Sequence, residues 1–164
     1  MKTILYATDY SDNSAAALRY AYQLGKSLKA SLVALHVFDY PTVLETEVHE
    51  PFPHLEEDAF EEHRKKLHTF CSSRLNDPGW KDTVQLEVIE SKKVPEAVAD
   101  KALELGAYLL LVGMKGGSEL RELLMGNTTR KLISEAPCPV LSVPEGTSFN
   151  GMRNIVYATD FEEE

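Results

Sequence analysis

The chain has 164 residues, of which 43% are hydrophobic and 26% are charged, as is typical of one well-cored globular domain. Its net charge of -9 disfavours nucleic acids and anionic membranes as partners, because both bind basic surfaces. Cys71 and Cys138 are too few and too far apart to form a disulfide framework. No stretch approaches the ~20 apolar residues that cross a bilayer, and no signal-peptide pattern follows Met1. These features predict a cytoplasmic protein.

The first half of the chain predicts strand, helix, strand and helix in that order. The apolar run from Ile4 to Ala7 predicts a buried strand, and Ser11 or Asp12 can cap the helix that follows. One apolar stripe of this helix comprises Ala17, Ala21, Leu24 and Leu28. A second strand is predicted from Leu32 to Val37. The second helical stripe comprises Phe60, Leu67, Phe70, Cys71 and Leu75.

An acidic segment separates that second strand from its helix. From Asp39 to Glu62 there is no Lys or Arg, and three prolines interrupt the run. The composition favours a solvated crossover, with a cation or partner site as the alternative.

The second half continues the alternation of strands and helices. Pro95 occupies the first turn of a third helix, which Gly106 ends, and a fourth helix is expected from Asn127 to just before Pro137. The remaining strands are predicted at Val84 to Ile89, Tyr108 to Val112 and Val140 to Val143. The pattern predicts a doubly wound α/β fold, with a mainly parallel five-stranded sheet and helices on both faces.

A glycine-rich stretch follows the fourth predicted strand. Gly113 comes directly after that strand, Gly116 three residues later, and Gly126 opens the last helix. Glycines at a strand end and the N–H groups of a helix N-terminus can together bind a polyphosphate, and Lys115 could add a cation. Turn formation is the alternative, because Gly-x-x-Gly alone is a weak signal. Neither a Walker-type loop nor GxGxxG is present.

A second candidate is the segment ATDYS, from Ala7 to Ser11, at the end of the first strand. The carboxylate of Asp9 could accept hydrogen bonds from a ribose or a base. It could equally cap the following helix. The position of the residue does not distinguish these two roles.

The spacing of Gly113, Gly116 and Gly126 resembles the G-x2-G-x9-G-[S/T] signature of the ATP-binding universal stress proteins. Three further segments are similar to that family and occur in the same order: ATDYS, LHVFD at the end of the second strand, and APCPVLSVP. The resemblance spans Lys2 to Pro144. It implies ATP as the ligand, with Mg²⁺ or Mn²⁺ as an option that binds through the phosphates.

The resemblance also implies the residues of a nucleotide site. Asp9 would contact the nucleoside, Val37 would meet adenine through its backbone, and the glycines would hold ribose and phosphates. The complete implied set is Ala7, Thr8, Asp9, Val37, Val112, Gly113, Gly116, Gly126, Asn127 and Thr128. Asn127 departs from the family pattern, which has Ser or Thr there; Asn can still cap a helix and donate to phosphate.

No catalytic constellation is evident in the sequence. His49 and His54, like His63 and His68, are five residues apart, a spacing that splays side chains around a helix, so no metal site is expected. His36 is interpreted as a packed strand residue. The sequence therefore indicates a nucleotide-binding sensor or regulator in stress response, with at most slow hydrolysis. The alternative is a dimerisation module with a vestigial pocket.

The end of the sequence repeats its beginning. TILYATDYS starts at Thr3, and NIVYATDFE starts at Asn154. We therefore expect a domain over 1–145, a linker over 146–153, and the start of a second copy of the fold over 154–164. The family resemblance places the last strand, Val140 to Val143, at the interface between modules. It predicts either a homodimer through that strand or pairing with a second module.

Overall fold

The structure is a computed structural model, and it describes residues 2–39, 55–114 and 126–158. Its strands are β1 (Thr3–Ala7), β2 (Ser31–Phe38), β3 (Val84–Glu90), β4 (Leu109–Met114) and β5 (Val140–Pro144). Its helices are α1 (Asp12–Leu28), α2 (Leu55–Arg74), α3 (Val94–Glu104) and α4 (Asn127–Glu135), with a 3-10 turn at Pro78–Asp82. Every described strand overlaps the range that the sequence predicts.

The strands form one five-stranded sheet in the order β3-β2-β1-β4-β5, and each neighbouring pair is parallel. This confirms the predicted doubly wound α/β fold. The chain moves outward from β1 to β3 on one side and then crosses over β1 to β4. The strand order thus reverses between β1 and β4, where the carboxyl ends of parallel strands leave a crevice.

Both faces of the sheet are buried, which explains the continuous apolar runs of its strands. On one face Ile4 and Tyr6 pack in a core with α1 and α2. On the other face Leu5 packs in a second core with residues of α3 and α4. All three of these β1 side chains have a relative exposure of 0%.

The helix termini agree with the sequence analysis, and α4 begins at Asn127 as predicted. Ser11 caps α1, because its hydroxyl accepts a hydrogen bond from the Ser14 N–H at 3.2 Å. Gly106 adopts a φ of 54° just after α3, a conformation that favours glycine. At α4, Gly126 is the N-cap and Asn127 is the first helical residue, so the capping role considered for Asn127 is wrong.

The residues after β5 are anchored to the domain at one point. The backbone turns at Gly146, whose φ is 76°, and Phe149 then packs edge-on against Tyr20 of α1 with ring centroids 5.1 Å apart. Ile155 and Tyr157 are each 85% exposed. Within the described ranges, no helix is both long and apolar enough to cross a membrane.

Candidate functional site

A cavity of about 450 Å³ lies at the carboxyl ends of β1 and β4, at the point where the strand order reverses. It brings together nine residues of the set that the sequence analysis selected: Ala7, Thr8, Asp9, Val37, Val112, Gly113, Gly126, Asn127 and Thr128. Gly116, the tenth, lies outside the described residues, as does Lys115. The volume is within the range of small-molecule sites in proteins.

The loop after β1 holds the carboxylate of Asp9 at the rim of this cavity. Asp9 Oδ1 accepts hydrogen bonds from the Ser11 N–H at 3.0 Å and from the Ser11 hydroxyl at 2.6 Å. Tyr10, between them, has a φ of 66°, which is unusual for a residue other than glycine. Ser11 is the cap of α1, so Asp9 supports the cap residue and does not itself cap the helix.

A chain of buried hydrogen bonds anchors this loop from below. The Tyr6 hydroxyl lies 2.6 Å from the Ser14 carbonyl oxygen, to which it donates, and 2.8 Å from the Ser14 hydroxyl. That hydroxyl donates to Thr8 Oγ1 at 2.7 Å, which also accepts from the Tyr10 N–H at 3.0 Å. Burial raises the pKa of Tyr6 well above its usual range. The network therefore consists of neutral groups that fix the loop geometry.

Gly113 is required by the packing of β4 against α1. A Cβ atom at this position would lie 2.8 Å from both Asn13 C and Ser14 N, which are backbone atoms of the first turn of α1. The sequence analysis considered close approach of a ligand and turn formation as reasons for this glycine. The structure shows a third reason, which is close contact between two parts of the fold.

Gly126 differs from Gly113 in having open space around it. A Cβ atom added there would meet nothing within 4 Å among the described residues, and its φ of -58° suits any residue. Gly126, the N-cap of α4, supplies no capping side chain, whereas Ser11 caps α1. The N–H groups of the first turn of α4 therefore have no side-chain acceptor from a capping residue at the edge of the cavity.

The structure adds cavity residues that the sequence analysis missed. One wall is apolar and comprises Leu35, Val94, Val98 and Leu132. Ser11, Asn13, Ser14 and Thr129 contribute polar groups, and the Thr129 hydroxyl donates to the Gly113 carbonyl oxygen at 3.3 Å. The helical spacing of Val94 and Val98 could have indicated a shared face. Nothing in the sequence indicates that this face meets β2.

Two histidines lie beside the cavity in a stack of rings. The ring of His36 lies 4.2 Å from that of Tyr10 and 5.4 Å from that of His63, and His63 lies 4.0 Å from Phe38. Burial is the largest cause that lowers the pKa of both histidines. His68 packs elsewhere, against Trp80 at 5.2 Å. Over the ranges that the structure covers, no group of three or more His, Cys, Asp or Glu side chains could hold a metal ion.

Comparison with known proteins identifies the family to which this chain belongs. The model of the universal stress protein family matches residues 1–144. The chain belongs to the universal stress protein family. A curated member, Universal stress protein YxiE of Bacillus subtilis, is 32% identical over 144 residues, which cover 85% of this chain and 97% of YxiE.

Solved universal stress proteins share the fold of this chain. A crystal structure of a family member from Burkholderia pseudomallei has a TM-score of 0.61 at 25% identity and covers 87% of this chain and 96% of that one. A universal stress protein in complex with cAMP has a TM-score of 0.58 at 17% identity and covers 88% of this chain and 98% of that one.

Proposed function

We propose that this universal stress protein binds ATP in the cavity between the Asp9 loop and the N-terminus of α4, and that it acts as a regulatory or sensor module. The observation that carries the proposal is the arrangement of three kinds of surface around one cavity. An apolar wall, a carboxylate and a helix N-terminus whose N-cap is a glycine suit a base, a ribose and a polyphosphate respectively.

The base end of the site is formed by apolar side chains. Leu35, Val94 and Val98 offer a wall against which a planar base can pack, and Val37 lies at the carboxyl end of β2, where its backbone is close to the cavity. Asp9 lies exposed at the rim with its carboxylate oriented by Ser11, in a position to accept hydrogen bonds from hydroxyl or amino groups. These groups suit a nucleoside.

The phosphate end is formed by α4. The partial positive charge of a helix N-terminus and its free N–H groups stabilise an anion. The backbone N–H groups of Asn127 and Thr128, the Asn127 amide and the Thr128 hydroxyl can all donate to phosphate oxygens. An accompanying Mg²⁺ or Mn²⁺ would be held through the phosphates.

The side chains that line the cavity suit a regulatory role better than rapid catalysis. Asp9 and His36 are the ionisable side chains among the described residues that line the cavity, and no Lys or Arg is among them. Phosphoryl transfer requires stabilisation of charge at the terminal phosphate and an oriented nucleophile. The cAMP-bound relative supports an adenine nucleotide as the ligand class. We place the protein in the cytoplasm and in stress response on the basis of its family.

Isothermal titration with ATP, ADP, cAMP and GTP tests this site. We expect adenine nucleotides to bind more tightly than GTP, and we expect Gly126→Val to weaken binding at least tenfold by filling the cavity edge. Ile133→Ala, on the exposed face of the same helix, is the matched control and should bind like the wild type. Gly113→Val is unsuitable as a binding control, because it would disturb the contact with α1.

The outcomes also separate the two functional hypotheses. No heat with any nucleotide would favour the alternative, a dimerisation module with a vestigial pocket. Phosphate release, measured on the same samples with Mg²⁺ or Mn²⁺, should stay below about 1 per second, the lower end of typical turnover. Turnover of many per second would contradict the regulatory assignment.

A further inference from the structure

A column of four rings connects the Asp9 loop to α2. It comprises Tyr10, His36, His63 and Phe38, in that order, and we call it the aromatic column. The His36 and His63 rings are nearly parallel, with an interplanar angle of 17°, and His63 lies at 12° to Phe38. Phe60 closes the far end, edge-on to Phe38 at 5.1 Å. The column thus extends from the cavity rim to the first turns of α2.

His36 also holds the backbone of the loop directly. Its Nδ1 lies 2.9 Å from the carbonyl oxygen of Thr8, the residue before Asp9. A carbonyl oxygen can only accept, so Nδ1 carries the hydrogen, and the lone pair of the neutral ring lies on Nε2. The same ring packs on Tyr10, whose left-handed backbone turns the chain from Asp9 toward α1. Both contacts favour the loop conformation that aims Asp9 at the cavity rim.

We propose that His36 is a positioning residue for the nucleotide loop, residues 8–11, and that a proton on His36 or His63 weakens this hold by driving the two stacked rings apart, since a charged His36 would keep its Nδ1–H donor to Thr8. The inference rests on the proposed nucleotide site and adds a proton-dependent control of that site. His36 lines the cavity and acts on the loop through the Thr8 carbonyl and the Tyr10 ring, and the loop signals described below separate this role from direct contact with the nucleotide.

The surroundings of the pair disfavour a proton on either ring. His63 Nδ1 is buried and has no hydrogen-bond partner in the part of the chain that the structure describes, so the charged form would bury an N–H group that lacks an acceptor there. On α2, Lys66 adds a positive charge that lowers the pKa of both rings, whereas Glu62 raises that of His63.

From the loop, Asp9 and the Thr8 carbonyl raise the pKa of His36. Tyr10 remains neutral, and β3 places Val88 opposite His36.

The direction of the pH effect follows from these groups. Burial is the largest cause and lowers the pKa of both histidines in the folded protein below the usual value of 6.5. The unfolded chain therefore takes up protons first as the pH falls. The stability contributed by the neutral pair is complete above about pH 6.5 and is lost progressively below it. Nucleotide affinity should fall over the same interval as the loop is released.

Three variants of the full chain separate the parts of this proposal. His36→Phe keeps a ring in the column but removes the donor to Thr8, and we expect it to weaken ATP binding about tenfold at pH 7.5 with unchanged circular dichroism. His63→Phe keeps the stack and removes one titrating group, so it should bind normally at pH 7.5 and lose less affinity at pH 5.5. His68→Phe is the matched control, since it removes an α2 histidine outside the column.

Binding is measured by titration calorimetry between pH 7.5 and 5.5. Because the terminal phosphate of the ligand also titrates near pH 6, each variant is compared with the wild type at the same pH. The proposal is overturned if His36→Phe binds like the wild type, or if His63→Phe and His68→Phe lose affinity equally on acidification.

A second readout does not depend on nucleotide binding. Amide NMR signals of Asp9, Tyr10 and Ser11 should shift in His36→Phe and should move with the histidine titration in the wild type. If the wild type binds no nucleotide, the proposed function fails, and these signals still decide whether His36 positions the loop. Signals unaffected by both pH and His36→Phe would overturn the positioning role itself.

Discussion

At the scale of single residues, Gly113 and Gly126 play different parts although the sequence presents them as one motif. Gly113 lies where β4 meets the first turn of α1, and any Cβ there would come within 3 Å of backbone atoms. Gly126 has open space, at the edge of the cavity. The first glycine therefore serves the fold, and the second leaves room beside the proposed phosphate site.

This difference predicts effects of different size for two alanine substitutions on stability. Gly113→Ala should lower the free energy of unfolding by about 1–3 kcal/mol, because backbone atoms of α1 must move to accept the methyl group. Gly126→Ala should lower it by less than about 1 kcal/mol, since replacing a good N-cap costs typically ~1 kcal/mol with alanine and a few tenths of that with glycine. Urea unfolding measures both values. Equal losses, or a larger loss at Gly126, would contradict the packing role of Gly113.

At the scale of elements, the strands were predictable because they are covered on both faces. A strand such as β1, with Ile4, Leu5 and Tyr6 all at 0% exposure, must be apolar throughout, and a continuous apolar run between turn signals indicates this directly. Helix starts were predictable where a capping side chain exists, as Ser11 shows. At α4 the cap is a glycine without a side chain; the start at Asn127 was predicted correctly, but the capping role considered for Asn127 was wrong.

The predicted part of the cavity lies at strand ends and at the start of α4. The Asp9 loop and Gly113 follow from the rule that ligands of doubly wound sheets bind beyond the carboxyl ends of the strands, whereas Val112 and Thr128 were implied only by the family resemblance. Contacts between distant elements leave no comparable local signal. His36 and His63 are far apart in the sequence, so neither their stack nor the polar link from Tyr6 to Thr8 could be derived from spacing.

At the scale of the whole molecule, the two edges of the described sheet differ in character. The β3 edge carries Gln85, Glu87 and Glu90, which discourage further pairing. The β5 edge carries no charge from Val140 to Val143, and in the described part of the chain its strand pairs only with β4. The β5 edge is thus the better surface for joining two copies of this sheet.

Residues 154–158 repeat the sequence pattern of β1, which also indicates an assembly of two copies of this sheet. Residues 154–158 match β1 in pattern, but Ile155 and Val156 are 85% and 91% exposed, whereas Ile4 and Leu5 are fully buried. The expected linker is not free along its length, because Phe149 packs on Tyr20. We propose that 154–164 begins a second copy of this fold, with β5 between the copies. A stop codon directly after Glu164 would contradict the second copy.

Dimerisation of the chain tests the β5 edge. We propose that two chains associate through Val140 to Val143, because this uncharged edge offers unpaired backbone groups to an identical edge. Light scattering at high micromolar concentration should report a dimer for residues 1–164 and also for 1–150, which retains Phe149. Ser142→Lys places a charge on the edge and should yield a monomer, whereas Gln85→Lys, on the opposite edge, should remain dimeric. A monomeric wild type, or dissociation by Gln85→Lys alone, would show that β5 is not the interface.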